Sequence, residues 1–321
     1  MVKEVRDDLR DAAKIVISQC MAVKPGEGVL ILTDEPEREI GYVLWEEAKA
    51  AGAEAVITEI ITRRVNGEEP PPAVAEFMKN FSVILIPTSR SLSHTEARRQ
   101  ASKAGARIAT LPGITAECMV RTLVADYSAI AERSTRMAGI LSRGKIARLT
   151  SPAGCDVTFC IEGREASPDT GIYHLPGDFG NLPAGEAYIA PQEGTASGII
   201  VVDGAMAGVG MVDEPIVMRV EDGYVRSIEG GEGARRLLAI LEGLPGEARN
   251  VAELGVGTND RAVITGNVLG DEKALGTVHV AIGDNSGFGG KVKVPSHLDG
   301  IILRPTLVID GVEIIKNGVH A

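Results

Sequence analysis

GTVHVAIGDNSGFGGKVKVPSHLDG, residues 276–300, decides how the second half of this chain is read. Val278, Val280 and Ile282 alternate with His279 and Ala281, the two-residue period of a strand. A glycine-rich turn follows, and His297-x-Asp299 then closes on Gly300. Side chains at i and i+2 of a strand share a face, so His297 and Asp299 can address one point. With His279 they make the smallest donor set for a divalent metal of borderline softness. The competing readings are a satisfied core imidazole for His279 and an incidental surface pair for His297 and Asp299. The phrase GDNSGFGG (283–290) either lets a ligand approach backbone amides or serves as a flexible turn.

Upstream, Glu253 lies in VAELGVG (251–257), a carboxylate among small and apolar neighbours. Burying such a charge is expensive without a partner, and a metal is a suitable one. A partly exposed strand glutamate is the alternative. Glu186 follows a turn in NLPAGEAY (181–188) and by itself reads as an exposed glutamate opening a strand. Asp271-Glu272-Lys273 reads as a solvated turn, and His94 as a solvated histidine near a helix start.

The first half has another texture. Helical apolar spacing over 3–22 stops at Pro25-Gly26, and the run Gly28–Leu32 (GVLIL) is of buried-strand type. The pattern repeats: a helix over 36–51 and strand 55–60, a helix over 71–80 and strand 83–86, a helix over 94–104 and strand 107–111. This alternation predicts right-handed βαβ crossovers and a mainly parallel, Rossmann-like sheet. Ligands of such sheets bind beyond the carboxyl ends of the strands, here near Asp34, Ser89–Ser91 and Pro112–Gly113. Neither GxGxxG after the first strand nor GxxxxGK[ST] occurs, so a nucleotide is not indicated. An amphipathic segment over 114–140 closes this part.

From residue 146 short apolar runs are cut by Gly, Pro and Asp, with strands expected at 145–149, 156–161, 186–190, 197–202 and 216–220. Asp222-Gly223 and Asp310-Gly311 sit between apolar runs as hairpin turns do. One helix is expected over 231–242. The fold class is therefore α/β: an α/β domain over 1–145, then an α+β domain rich in antiparallel sheet over 146–321, expected to hold the metal and the chemistry.

Charge is uneven: residues 1–145 carry 20 Lys+Arg against 20 Asp+Glu, and residues 146–321 carry 13 against 24, which makes the net −11. A clustered basic surface is lacking, so nucleic acid is not an expected partner. Nor is a membrane, since no run approaches the about 18 apolar residues of a spanning helix. The charged start MVKEVRDDLRD is unlike a signal peptide, and the cytoplasm is the expected location. Four scattered cysteines (20, 118, 155 and 160) do not suggest a disulfide framework.

Four segments, NLPAGEAYIAP (181–191), AELGVGTN (252–259), GTVHVAIGDN (276–285) and SHLDG (296–300), resemble in order the metal-site segments of the M29 metallo-aminopeptidases, the aminopeptidase T group. They are also similar to the 2,5-dihydroxypyridine dioxygenases. The resemblance covers the second half. It implies that Glu186 is a carboxylate shared between two metals, that Glu253 is a second glutamate ligand, and that His279, His297 and Asp299 complete the set. It further implies a small-molecule or short-peptide substrate and a homo-oligomer, at least a dimer. The peptidases carry a tyrosine seven residues after the first histidine, where this chain has Ser286.

Two chemistries follow. If all five side chains converge, they hold two divalent ions (Co, Zn or Mn) that activate a water for aminopeptidase hydrolysis, with Glu253 or Glu186 accepting its proton. This reading is placed first because both glutamates are present. If only His279, His297 and Asp299 bind, they form the triad of an Fe(II) ring-cleaving dioxygenase, with the glutamates behind them. A metal-free binding protein is the third possibility, and it requires the five to be scattered.

Overall fold

The computed structural model describes residues 2–321, with side chains from Asp7 onward; Met1 lies outside the described residues. The chain forms two compact units, Met1–Ser128 with Gly171–Ala184, and Ala129–Thr170 with Gly185–Ala321. The single cut expected after residue 145 is thus replaced by a division at Ser128 and an excursion. Two physical causes account for it. The helix Tyr127–Arg143 buries Met137, Ala138 and Leu141 in the core of the second unit. Phe179–Asn181 returns to pair in parallel with Arg107–Thr110 as a fifth strand of the first.

In the first unit the parallel sheet runs in the order Glu54–Ile60, Gly28–Asp34, Val83–Ile86, Arg107–Thr110, Phe179–Asn181. Its central strands are buried along nearly their whole length, which is why GVLIL and VILI read as buried runs. The helices fall at Arg38–Ala50, Pro72–Met78 and Glu96–Lys103, close to the expected ranges. The segment over 114–140 is two helices, Ala116–Leu123 and Tyr127–Arg143, because the chain leaves the helical region at Val124. At the carboxyl ends, buried Asp34 accepts hydrogen bonds from the Ser89 amide (3.1 Å) and hydroxyl (2.6 Å). At the opposite end, Arg107 donates a two-pronged pair of hydrogen bonds to Glu27 at 3.0 and 2.9 Å, joining the leading ends of two strands.

The second unit stacks two antiparallel sheets, of eight and seven strands, on one apolar core. Both Asp-Gly turns form hairpins, with φ of 50° and 76° at Asp222 and Gly223 and of 50° and 85° at Asp310 and Gly311. These are the left-handed values that such two-residue turns need. The expected helix is present at Glu232–Leu241. Burial pushes the Cys155 thiol up to about 11. Among the described residues no helix is long and apolar enough to cross a membrane.

The Glu27–Arg107 pair gives a pH-dependent contribution to stability. Its hydrogen bonds with Arg107 hold the Glu27 carboxyl below its usual range, against the opposing effect of burial. A depressed folded-state pKa means the contribution is complete above the unfolded value of about 4.3 and is lost as pH falls through the folded one. Glu27→Gln is therefore expected to cost about 1–2 kcal/mol at neutral pH. In thermal unfolding across pH, its deficit in Tm against wild type should hold steady from pH 8 to about 5 and shrink below about 4. A deficit independent of pH would refute the assignment.

Candidate metal centre

The seven-stranded sheet of the second unit has two unlike faces. Leu254, Val256, Val278, Val280, Ile282 and Ile302 point into the apolar core. The alternate positions form the other face, where Glu253, Ala281 and Asp299 stand in one row across three strands, and His279 lies opposite Gly255. Glu186 pairs with Gly257 and His297 with Gly283, so all five expected residues share this face. A bulge between Val251 and Glu253 makes this possible, since without it both residues would point the same way. Val251 instead packs in the core and Glu253 faces the site.

The small residues are equally necessary. A Cβ on Gly255 would stand 1.9 Å from His279 Nε2, so only glycine lets the imidazole cross its neighbouring strand. A Cβ on Gly257 would stand 2.1 Å from the carbonyl oxygen of Ala274, blocking the segment that carries Lys273.

His279 Nε2 is 3.2 Å from Glu186 Oε2 and 3.2 Å from Glu253 Oε1. His297 Nε2 is 3.4 Å from Glu253 Oε2 and 3.3 Å from Asp299 Oδ1. Ligand atoms fall into two groups, each within 4.8 Å: Glu186, Glu253 and His279, and Glu253, His297 and Asp299. Glu253 belongs to both. The triad of His279, His297 and Asp299 alone does not form one such group among the described residues, because the two imidazoles approach opposite oxygens of Glu253.

The donor set fits a cation. A carbonyl only accepts, so the 2.7 Å contact with Asp284 O places a proton on His297 Nδ1 and turns Nε2 toward two carboxylate oxygens. Two lone-pair carriers facing a third require a proton or a metal between them. The single Nε2 of His279 likewise faces two carboxylates, and Glu186 Oε2 has no hydrogen-bond partner. Without metal a proton fills the role. Burial opposes it, yet the carboxylates prevail: Glu186 and Glu253 hold His279 well above its ordinary value, and Asp299 and Glu253 do the same for His297. Burial works against the charge of Asp299 too, but His297 keeps it at about 2.

The segment read as a solvated turn is the main correction. Asp271 is fully buried and accepts from the Thr265 and Gly266 amides at 2.8 and 2.7 Å. Lys273 is only 2 % exposed, with Nζ 2.6 Å from Glu186, 2.7 Å from Glu272 and 3.4 Å from Asp169. Burial disfavours its charge, but the carboxylates raise its pKa well above the usual value. Burial pushes Glu272 up to about 8. No local pattern marks Lys273; only the glycine opposite it, Gly257, hints that something crosses there. Ser286, at the position of the peptidase tyrosine, is exposed and donates to the Asp284 carboxylate. The ring of Phe288 stands edge-on to Tyr188 (5.4 Å) and to His297 (5.8 Å), giving the site an aromatic wall that sequence reading did not anticipate.

The chain and its fold are similar to those of known proteins. The model of the family described as NicX, 2,5-dihydroxypyridine 5,6-dioxygenase, matches residues 8–321. A Pseudomonas putida (strain KT2440) protein named 2,5-dihydroxypyridine 5,6-dioxygenase is 24% identical over 247 residues, 73% of this chain and 70% of its own. The solved structure of 2,5-dihydroxypyridine dioxygenase from Pseudomonas putida KT2440 superposes with a TM-score of 0.83 at 20% identity, covering 98% of this chain and 97% of that one. Wild-type AmpT from Thermus thermophilus superposes at 0.72 and 18% identity, covering 98% and 99%. These superpositions establish a shared fold with the dioxygenase and with AmpT alike. Because the family match runs through nearly the whole length, site strands included, this chain belongs to the NicX (2,5-dihydroxypyridine 5,6-dioxygenase) family.

Proposed function

We propose that this enzyme is a ring-cleaving dioxygenase acting on a small dihydroxylated aromatic, with one divalent ion, iron(II), held by Glu253, His297 and Asp299. The observation that carries this reading is the ammonium of Lys273, 2.6 Å from Glu186. A two-metal hydrolase shares that carboxylate between its ions; here a built-in cation already holds one of its oxygens. Family membership supports the same choice, as do the aromatic wall beside His297 and the exposed Ser286.

Bound iron(II) would supply the redox chemistry that joins dioxygen to an electron-rich ring. The chain's own contribution is positional and electrostatic. Asp284 O fixes the tautomer of His297 so that Nε2 faces the cluster. His279, fully buried, orients Glu253 through its Oε1 oxygen. Burial opposes the charge of Glu186, but Lys273 and His279 keep its pKa below the usual range, which makes it a weak proton acceptor. The rings of Tyr188 and Phe288, edge to face beside His297, give the cluster an apolar border. A second reading, hydrolysis at the amino end of a peptide, is supported by the convergence of all five side chains and the likeness to the AmpT fold. In that case Glu253 is the group that accepts the water's proton.

Metal analysis with two activity assays decides between them. Under the dioxygenase reading the purified chain binds about one iron(II) and takes up dioxygen on addition of 2,5-dihydroxypyridine. Two zinc or cobalt ions per chain with cleavage of an aminoacyl anilide would instead establish the hydrolase. His297→Ala or Asp299→Ala is expected to lower metal affinity by 10-fold or more, to roughly the extent that loss of a supporting ligand does elsewhere.

Lys273→Ala tests the built-in cation. Leaving the buried Glu186 carboxylate without it should destabilise the metal-free protein by about 3–5 kcal/mol. Added zinc should restore the Tm and raise the bound metal from one ion to two. Stoichiometry that stays at one would mean that Lys273 does not stand in for a second metal.

A further inference from the structure

The glycine-rich link after the Val278–Gly283 strand is an ordered loop, and its wiring leads away from the metal centre to two side chains with no part in the cluster. Asn285, fully buried, is its core: Oδ1 accepts from Val292 N at 2.9 Å, and its carbonyl accepts from Phe288 N and Gly290 N at 3.3 and 3.0 Å. A Cβ on Gly290 would stand 1.9 Å from the Asn285 side chain, so glycine is required for this closure. Glu193 lies behind the loop, and its Oε1 accepts from Asn285 Nδ2 at 3.2 Å and from Lys291 N at 2.7 Å. Its other oxygen accepts from Arg164, which also donates to the carbonyl of Gly289. The Arg164 and Glu193 side chains are only 15 % and 22 % exposed, so this is not a loose surface pair. One ion pair thereby fastens both legs of a loop whose tip is Phe288, the ring set against His297 and Tyr188. Arg164, Glu193, Phe288 and Lys291 also line a cavity of about 640 Å³, within the range that receives small organic ligands.

We infer that Arg164 and Glu193 are positioning residues: they hold Phe288 against His297 and so shape the wall that a planar substrate meets. Four glycines between 283 and 290 leave this loop free to sample many conformations, and ordering it requires strong, directional contacts. Bonds to the ion pair supply them on both sides of Phe288: Asn285 Nδ2 before it and Lys291 N after it donate to Glu193, and Arg164 donates to the carbonyl of Gly289. The substrate half of the inference rests on the ring-cleaving reading; the positioning half rests on the loop's geometry alone.

The test uses the full-length chain loaded with zinc, a diamagnetic ion, and the carbon–proton spectrum of its five histidine rings. The His297 signal is identified by its loss in His297→Gln, and Phe288→Leu records where it moves when its aromatic neighbour is gone. Arg164→Met and Glu193→Gln are each expected to move the signal the same way while His174 and His320 stay in place, which also reports an intact fold. With iron-loaded protein and 2,5-dihydroxypyridine, both variants should raise KM about 10-fold and leave kcat within about threefold. A His297 signal unmoved in either folded variant overturns the positioning role, and an unchanged KM with reduced kcat overturns its link to substrate. Should wild type take up no dioxygen, the proposed function falls, while the His297 signal still decides the positioning. If Glu193→Gln does not fold, Arg164→Met carries the test.

Discussion

Charge balance in a nearly dry place is the constraint on which this structure rests. Glu186, Glu253 and Asp299 are each under a tenth exposed, and carboxylates taken out of water must be repaid by cations or donors close by. On one side the balance comes from Lys273, whose Nζ touches three carboxylates. On the other it comes from His279 and His297, which face carboxylate oxygens at 3.2–3.4 Å. A fixed ammonium and a replaceable proton are not equivalent. The first cannot leave, whereas the place of the second can be taken by a metal ion. One oxygen of Glu186 is therefore held by a fixed cation, while its other oxygen and the nearest oxygens of Glu253 and Asp299 face imidazoles.

Backbone economy makes the cluster possible. Four strands can bring five long polar side chains onto one face only if their neighbours on that face are nearly absent, and the positions between them are Gly255, Gly257, Ala281 and Gly283. The reverse face is filled with branched apolar residues that lock the sheet onto its partner. Rigidity comes from one side of the sheet and room from the other. The bulge at Val251–Glu253 is the switch between the two faces, since it lets one strand feed the core and then the site.

Beyond the strands, the surroundings are organised by hydrogen bonds that cross long stretches of sequence. Asp284 O sets the proton of His297, while Glu193 and Arg164 tie the loop that bears Phe288. The fold that carries these contacts is shared by a dioxygenase and by AmpT.

Much of the architecture was legible in the sequence because it is written in local periodicities. The parallel sheet of the first unit follows from apolar runs such as VLIL and VILI between helical segments, and both Asp-Gly turns follow from backbone preference. Glu253 and His279 stood out as polar residues in apolar strands, and His297-x-Asp299 as two side chains bound to share a face. What no local pattern contained was decided by tertiary structure: the return of Phe179–Asn181 to a distant sheet, the split of the 114–140 segment, and above all the burial of Lys273. Asp271-Glu272-Lys273 has the composition of a surface turn, and only its crossing over Gly257 turns it inward. Strand pairing brings Glu186 within reach of a lysine 87 residues away, and a charge's worth depends on such neighbours. Sequence by itself could therefore name the candidate ligands, while their arrangement around Lys273 rests on contacts that exist only in the folded chain.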